Sequence, residues 1–76
     1  MIVKVDLDYS PLLAKLEDRK LTDAQIYKKW GIPRKTLYNI KHGNGITVET
    51  LAKFAYILNA NMDELVILKY KEVDVN

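Results

Sequence analysis

Residues 21–50 read LTDAQIYKKWGIPRKTLYNIKHGNGITVET, and two helices joined by a tight turn can be read from them. Thr22 followed by Gln25 is a capping box, with a hydroxyl and an amide placed to satisfy each other's backbone N–H. Leu21 and Ile26 flank it as a hydrophobic staple, and Asp23 suits the positive end of the helix dipole. That helix should stop near Trp30, because Gly31 supplies the left-handed conformation a sharp exit needs. Ile32-Pro33 then opens the next helix, since proline needs no donor at a helix start. Within it Leu37 and Ile40 face inward at helical spacing. Arg34, Lys35, Tyr38, Asn39 and Lys41 are left facing out. His42-Gly43-Asn44-Gly45 closes the helix as a loop.

Thr47 caps a further helix over about 48–58, whose buried stripe is Leu51, Phe54, Ala55 and Leu58. Asn59 is suited to the left-handed position at its end. Asn61 with Glu64 is another capping box, and predicts a short fifth helix over 62–67. Upstream, Ser10-Pro11 marks an N-cap and a first helical residue, and Leu12, Leu13 and Leu16 continue it over 11–19. Both ends of the chain alternate. Val3, Val5 and Leu7 are interleaved with Lys4, Asp6 and Asp8. Leu68, Tyr70, Val73 and Val75 are interleaved with charged residues. Period two predicts strands.

The expected fold is therefore mainly α. Five helices over residues 10–67 lie between an N-terminal strand, 1–9, and a C-terminal strand or tail, 68–76. The ends are expected to pair as an antiparallel ribbon. Such a ribbon is marginal alone, so it should pack on the helices or on a second subunit. Trp30 and Phe54 are expected in or near the core. Tyr27 and Tyr56 could be core edges or a dimer surface.

The chain has 76 residues, 49% of them hydrophobic and 29% charged, which is globular composition for one small domain. Without cysteine and with one histidine, His42, disulfides, thiolate zinc sites and multi-histidine metal sites are excluded, and no cofactor is implied. No apolar run approaches a membrane span or a signal peptide, which points to a cytoplasmic protein. A substrate cavity is hard to fit in a chain of this size, so a binding module is expected rather than an enzyme.

Charge is unevenly placed. Between Asp23 and Glu49 there is no acidic residue, while Lys28, Lys29, Arg34, Lys35 and Lys41 all fall there. The remainder carries seven basic against ten acidic residues. One continuous basic segment is the electrostatic footprint of a polyanion binder. Two helices joined by a glycine turn, the second with a polar outer face, form the helix-turn-helix plan. Arg34 and Lys35 can donate to guanine, Asn39 can pair with adenine, and Tyr38 lies on the same side, within reach of a thymine methyl or a phosphate.

From Leu12 to about Leu65 the sequence resembles the Cro/cI-type (XRE) helix-turn-helix family. The landmarks are Leu21–Ile26 (LTDAQI), Gly31-Ile32, Thr36-Leu37, Gly43, Thr47–Leu51 (TVETL) and the closing NMDEL. The resemblance implies a five-helix domain that binds double-stranded DNA, commonly as a homodimer on a two-fold site. It implies base reading by Arg34, Lys35 and Asn39, and phosphate contacts by Thr22, His42 and Asn44 with Lys41 nearby. The function expected is that of a bacterial or phage regulator, repressor-like and nucleoid-associated. The alternative is a protein-interaction module of the same fold, an antirepressor or antitoxin. Three positions depart from the family pattern. Asp23 stands where a phosphate-binding glutamine is common, Pro33 where serine or threonine caps the third helix, and Ile26-Tyr27 where Leu-Ala is frequent.

Overall fold

The computed structural model describes residues 1–74. The elements run β1 (Ile2–Asp8), α1 (Ser10–Asp18), α2 (Asp23–Trp30), α3 (Arg34–Lys41), α4 (Val48–Leu58), a single 3₁₀ turn (Met62–Glu64) and β2 (Ile67–Val73). Val75 and Asn76, the end of the expected C-terminal strand, lie outside the described residues.

The caps of α2 and α4 form as their side chains dictate. The Thr22 hydroxyl accepts from Gln25 N–H at 3.2 Å, and Gln25 Oε1 accepts from Thr22 N–H at 2.9 Å. Thr47 Oγ1 accepts from Thr50 N–H at 3.1 Å. Gly31 and Asn59 end α2 and α4 in the left-handed conformation, at φ 68° and 51°. Arg19, just beyond α1, donates to the Leu58 carbonyl at 2.8 Å and to that of Ile57 at 3.3 Å. It thus places a cation on the negative end of α4.

Two helix expectations are corrected. α1 begins at Ser10, with Tyr9 rather than Ser10 as its N-cap and no side-chain cap. The Asp8 carboxylate takes the Ser10 N–H instead, at 2.9 Å, and this bond holds its pKa below the ordinary range. The fifth helix does not form: the described residues hold four α-helices, and the single 3₁₀ turn Met62–Glu64 stands in its place. Glu64 does accept from Asn61 N–H, at 3.3 Å, but the helix stops within a turn. Leu65 is fully buried, and its carbonyl accepts from Leu12 N–H at 3.1 Å. The next residues, Val66 and Ile67, are β-branched, and Ile67 already pairs with Asp8.

The core is a single cluster. Leu12 and Leu16 of α1, Ile26 of α2, Ile32 in the turn, Leu37 and Ile40 of α3, and Phe54 and Leu58 of α4 are buried, with Tyr9 and Leu65 beside them. Trp30 packs partly against it. Tyr27 and Tyr56 stay outside, Tyr56 at 84% exposure. The chain ends do pair: β1 and β2 run antiparallel with Ile2 opposite Val73 and Asp8 opposite Ile67. Burial fades along the ribbon. Leu7 and Asp8 are partly buried at its base, while Ile2 to Asp6 are exposed. Seven residues of strand span about 23 Å, and this arm gives the molecule its 48 Å length against a 21 × 19 Å cross-section.

Candidate nucleic-acid interface

The turn between α2 and α3 is built from local rules. Gly31 N–H donates to the Tyr27 carbonyl at 2.9 Å, Ile32 is buried, and Pro33 in extended backbone precedes Arg34. Leu37 and Ile40 pin α3 to the core. At about 100° per residue, the opposite side of α3 is centred on Lys35, Tyr38 and His42. Arg34 and Asn39 flank that centre, about 140° apart.

Pro33 gives α3 no side-chain cap, and the first turn holds no acid. Arg34 and Lys35 therefore stand at the positive end of the helix dipole with nothing to neutralise them. The arrangement costs a little stability and concentrates positive potential at that end of the helix. Arg34 is exposed, its guanidinium carbon 6.0 Å from the centre of the Tyr27 ring. Asn39 is partly buried. Its side-chain oxygen accepts from the Asn44 amide at 3.4 Å, and its carbonyl accepts from Asn44 N–H at 2.8 Å. The loop residue thus orients Asn39 and leaves the Asn39 amide nitrogen free to donate.

Tyr38 and His42 form one unit. Their rings stack at 3.9 Å between centroids and 24° between planes. His42 Nδ1 lies 2.8 Å from the Tyr38 carbonyl. A carbonyl only accepts, so Nδ1 carries the proton. The spacing of four residues that permits this stack is visible in the sequence, but the stack was not anticipated there.

The two ends of the helix pair meet at Asp23. Lys41 Nζ donates to Asp23 Oδ2 at 2.7 Å, with both side chains about half exposed. Thr22, Asp23 and Lys41 line one cleft. The residues are 18 apart in sequence, so no local signal revealed the pair. It places a cation beside the carboxylate that departs from the family pattern. Thr22 and Lys41 are thus brought together, His42 adjoins them, and Asn44 sits on the Asn39 side. Among the described residues no group of three His, Asp or Glu side chains could hold a metal ion, and no helix is long and apolar enough to cross a membrane.

The family model of the Cro/C1-type HTH DNA-binding domain matches residues 12–71. The chain belongs to that family. No curated protein matched the sequence. Among solved structures, the crystal structure of the transcriptional regulator VanUg is similar, with a TM-score of 0.75 at 15% identity over 88% of this chain and 89% of that one. At that identity the likeness is one of fold. Membership makes DNA the partner class. Asp23→Ala is expected to raise affinity for duplex DNA a few-fold, because it frees Lys41 and removes a carboxylate. The plot of log affinity against log salt should steepen by up to about 0.9, while stability changes by about 1 kcal/mol or less. Fluorescence anisotropy across a potassium chloride series checks this. Unchanged affinity would place the pair off the DNA backbone.

Proposed function

We propose that this protein is a sequence-specific DNA-binding regulator, repressor-like, of a bacterium or phage, acting in the cytoplasm by occupying its site rather than by catalysis. The observation that carries the reading is the outer face of α3. The positions not spent on the core are Arg34, Lys35, Thr36, Tyr38, Asn39 and Lys41: basic, hydroxyl, aromatic or amide, and none acidic. Arg34 and Lys35 at the uncapped end and Asn39 steadied by Asn44 would read base edges in the major groove. Tyr38, stacked on His42, would give an apolar surface beside them. Thr22, Lys41, His42 and Asn44 would hold phosphates and fix the helix in register.

Homodimerisation is part of the proposal, and the ribbon supports it. Residues opposite one another in an antiparallel pair share a face. One face of the ribbon therefore carries Val3, Val5, Leu7, Leu68 and Tyr70, with Glu72 opposite Val3 near its tip. Val3 is 58% exposed and Tyr70 67%. A two-stranded ribbon is marginal by itself, and a second copy offering the same face about a two-fold axis would cover it. Two copies of α3 would then enter successive major grooves about 34 Å apart.

The protein-interaction alternative draws support from a different surface. Trp30, Ala52, Tyr56 and Ile57 line a largely apolar groove that involves no residue of α3. Selection from a random-sequence duplex pool, at low and near-physiological salt, separates the readings. A two-fold motif that survives the higher salt is the expected result. Binding that enriches nothing and collapses with salt would mean phosphate contacts alone. No binding at either salt would end the DNA reading and favour a protein partner.

A further inference from the structure

The ribbon's other face is unlike the first. Ile2, Lys4, Asp6 and Asp8 of β1 lie opposite Val73, Lys71, Lys69 and Ile67 of β2. Lys4 thus faces Lys71 directly, and Lys69 shares their side. Like charges directly opposed across a strand pair are destabilising. Among the described residues the one ion pair is Lys41–Asp23, so no carboxylate lies within ion-pair distance of these three lysines. Asp6 stands directly opposite Lys69, and Asp8, which accepts the Ser10 N–H, also feels the Lys69 charge. Three lysines thus outnumber two carboxylates, and Lys4 and Lys71 are left facing each other. The fold therefore keeps a repulsive pair on its most weakly supported element.

The position of this face is equally specific. Asp6, Asp8 and Lys69 line one wall of a cleft whose other wall is Ile40, Lys41, His42 and Gly43. That second wall is the end of α3 and the start of its loop, where the phosphate contacts are proposed. The join is close. Gly43 has φ +71°, and a Cβ there would stand 3.1 Å from the Leu7 carbonyl oxygen. A side chain at 43 would be strained by that φ and would need the Leu7 carbonyl to give slightly.

We propose that the basic face of the ribbon, centred on Lys4 and Lys71, is a second contact for the phosphate backbone of the bound duplex, outside the α3 interface. The inference rests on the DNA-binding reading above. Its logic is electrostatic. Two facing ammonium groups that repel in the free protein can each neutralise a phosphate in the complex, releasing condensed counterions. At about 23 Å the ribbon is long enough to follow several phosphates, which are about 3.4 Å apart along one strand. Val3, Val5, Leu7, Leu68 and Tyr70 stay on the opposite face, available to a second copy, so one arm would serve both contacts. The competing explanation is that the lysines only guard an exposed edge against aggregation. It accounts for lysines on the ribbon, but not for the placement of two of them directly opposite each other on the face whose Lys69 lines the cleft at the α3 terminus.

The test uses the whole chain, a labelled random-sequence duplex of about 30 base pairs, and a salt series from about 50 to 200 mM. The Lys4→Gln/Lys71→Gln variant should bind about tenfold more weakly near 100 mM. Its salt slope should be shallower by about 0.9 for each lysine that meets a phosphate. It should melt no lower than the parent, because a repulsive pair has been removed, so weaker binding cannot be lost folding. Lys4→Arg/Lys71→Arg should keep the parental slope. Lys15→Gln/Lys53→Gln, on α1 and α4 and outside the central basic segment, removes the same net charge and should change the slope little. A ribbon variant whose slope matches the parent, or shifts no more than this control, overturns the inference and leaves the DNA reading standing. A parent protein that binds no duplex overturns both.

Discussion

Arg34→Ala should weaken binding to the selected duplex by about 1–3 kcal/mol, roughly 5- to 150-fold, and relax the requirement at one base pair. The expectation follows from how Arg34 is held. It opens α3, is exposed, and its guanidinium carbon stands 6.0 Å from the centre of the Tyr27 ring. An exposed contact of this kind contributes about 0.5–1 kcal/mol, and a cation at a helix N-terminus opposes the dipole by a comparable amount. The two nearly cancel, so the melting temperature should barely move. Arg34→Lys should recover only part of the discrimination, because an ammonium cannot make the paired contact with guanine O6 and N7 that a guanidinium can. Titrating the selected duplex alongside its single-base variants decides the matter. An equal loss on every sequence would move Arg34 from the bases to a phosphate.

Phe54→Ala should produce the largest change in stability. Phe54 is fully buried, and α1, α2, α3 and α4 all contribute residues to the cluster that holds it. Removing a buried phenyl ring costs about 3–5 kcal/mol. A chain of 76 residues has about 4–11 kcal/mol of stability in total. The variant should be largely unfolded if the parent lies near the bottom of that range, and its urea midpoint should fall steeply in either case. Tyr56→Ala, two residues along the same helix and 84% exposed, should change stability by about 0.5 kcal/mol or less. A loss at Phe54 below about 1.5 kcal/mol would mean that the cluster closes over the gap and that α4 is not its keystone.

These two residues also mark how far the sequence could be read. Phe54 was legible because burial in a helix follows spacing: Leu51, Phe54, Ala55 and Leu58 make one stripe. The boundaries of α2 and α4 were legible for the same local reason. Thr22, Gln25, Gly31, Thr47 and Asn59 act on backbone groups at most three or four residues away. The fifth helix was misread because its capping box was real but outweighed. Leu65 had to reach the core, and Ile67 had to meet Asp8, 59 positions earlier in the chain. Ser10 was misread as a cap because Asp8, two residues before it, supplies the acceptor.

The candidate interface divides in the same way. The outward set Arg34, Lys35, Tyr38, Asn39 and Lys41 follows from helical period and chemistry alone, as does the amphipathic alternation of each terminal strand. The sequence could not show that Lys41 closes on Asp23, that Arg19 caps α4, or that Lys4 faces Lys71. Each of those contacts depends on two segments distant along the chain, and only the packed fold brings them within a few ångströms. Local backbone chemistry determined the helices and what their faces carry. Tertiary structure decided which charges are paired, which are left opposed, and where the arm they ride on is anchored.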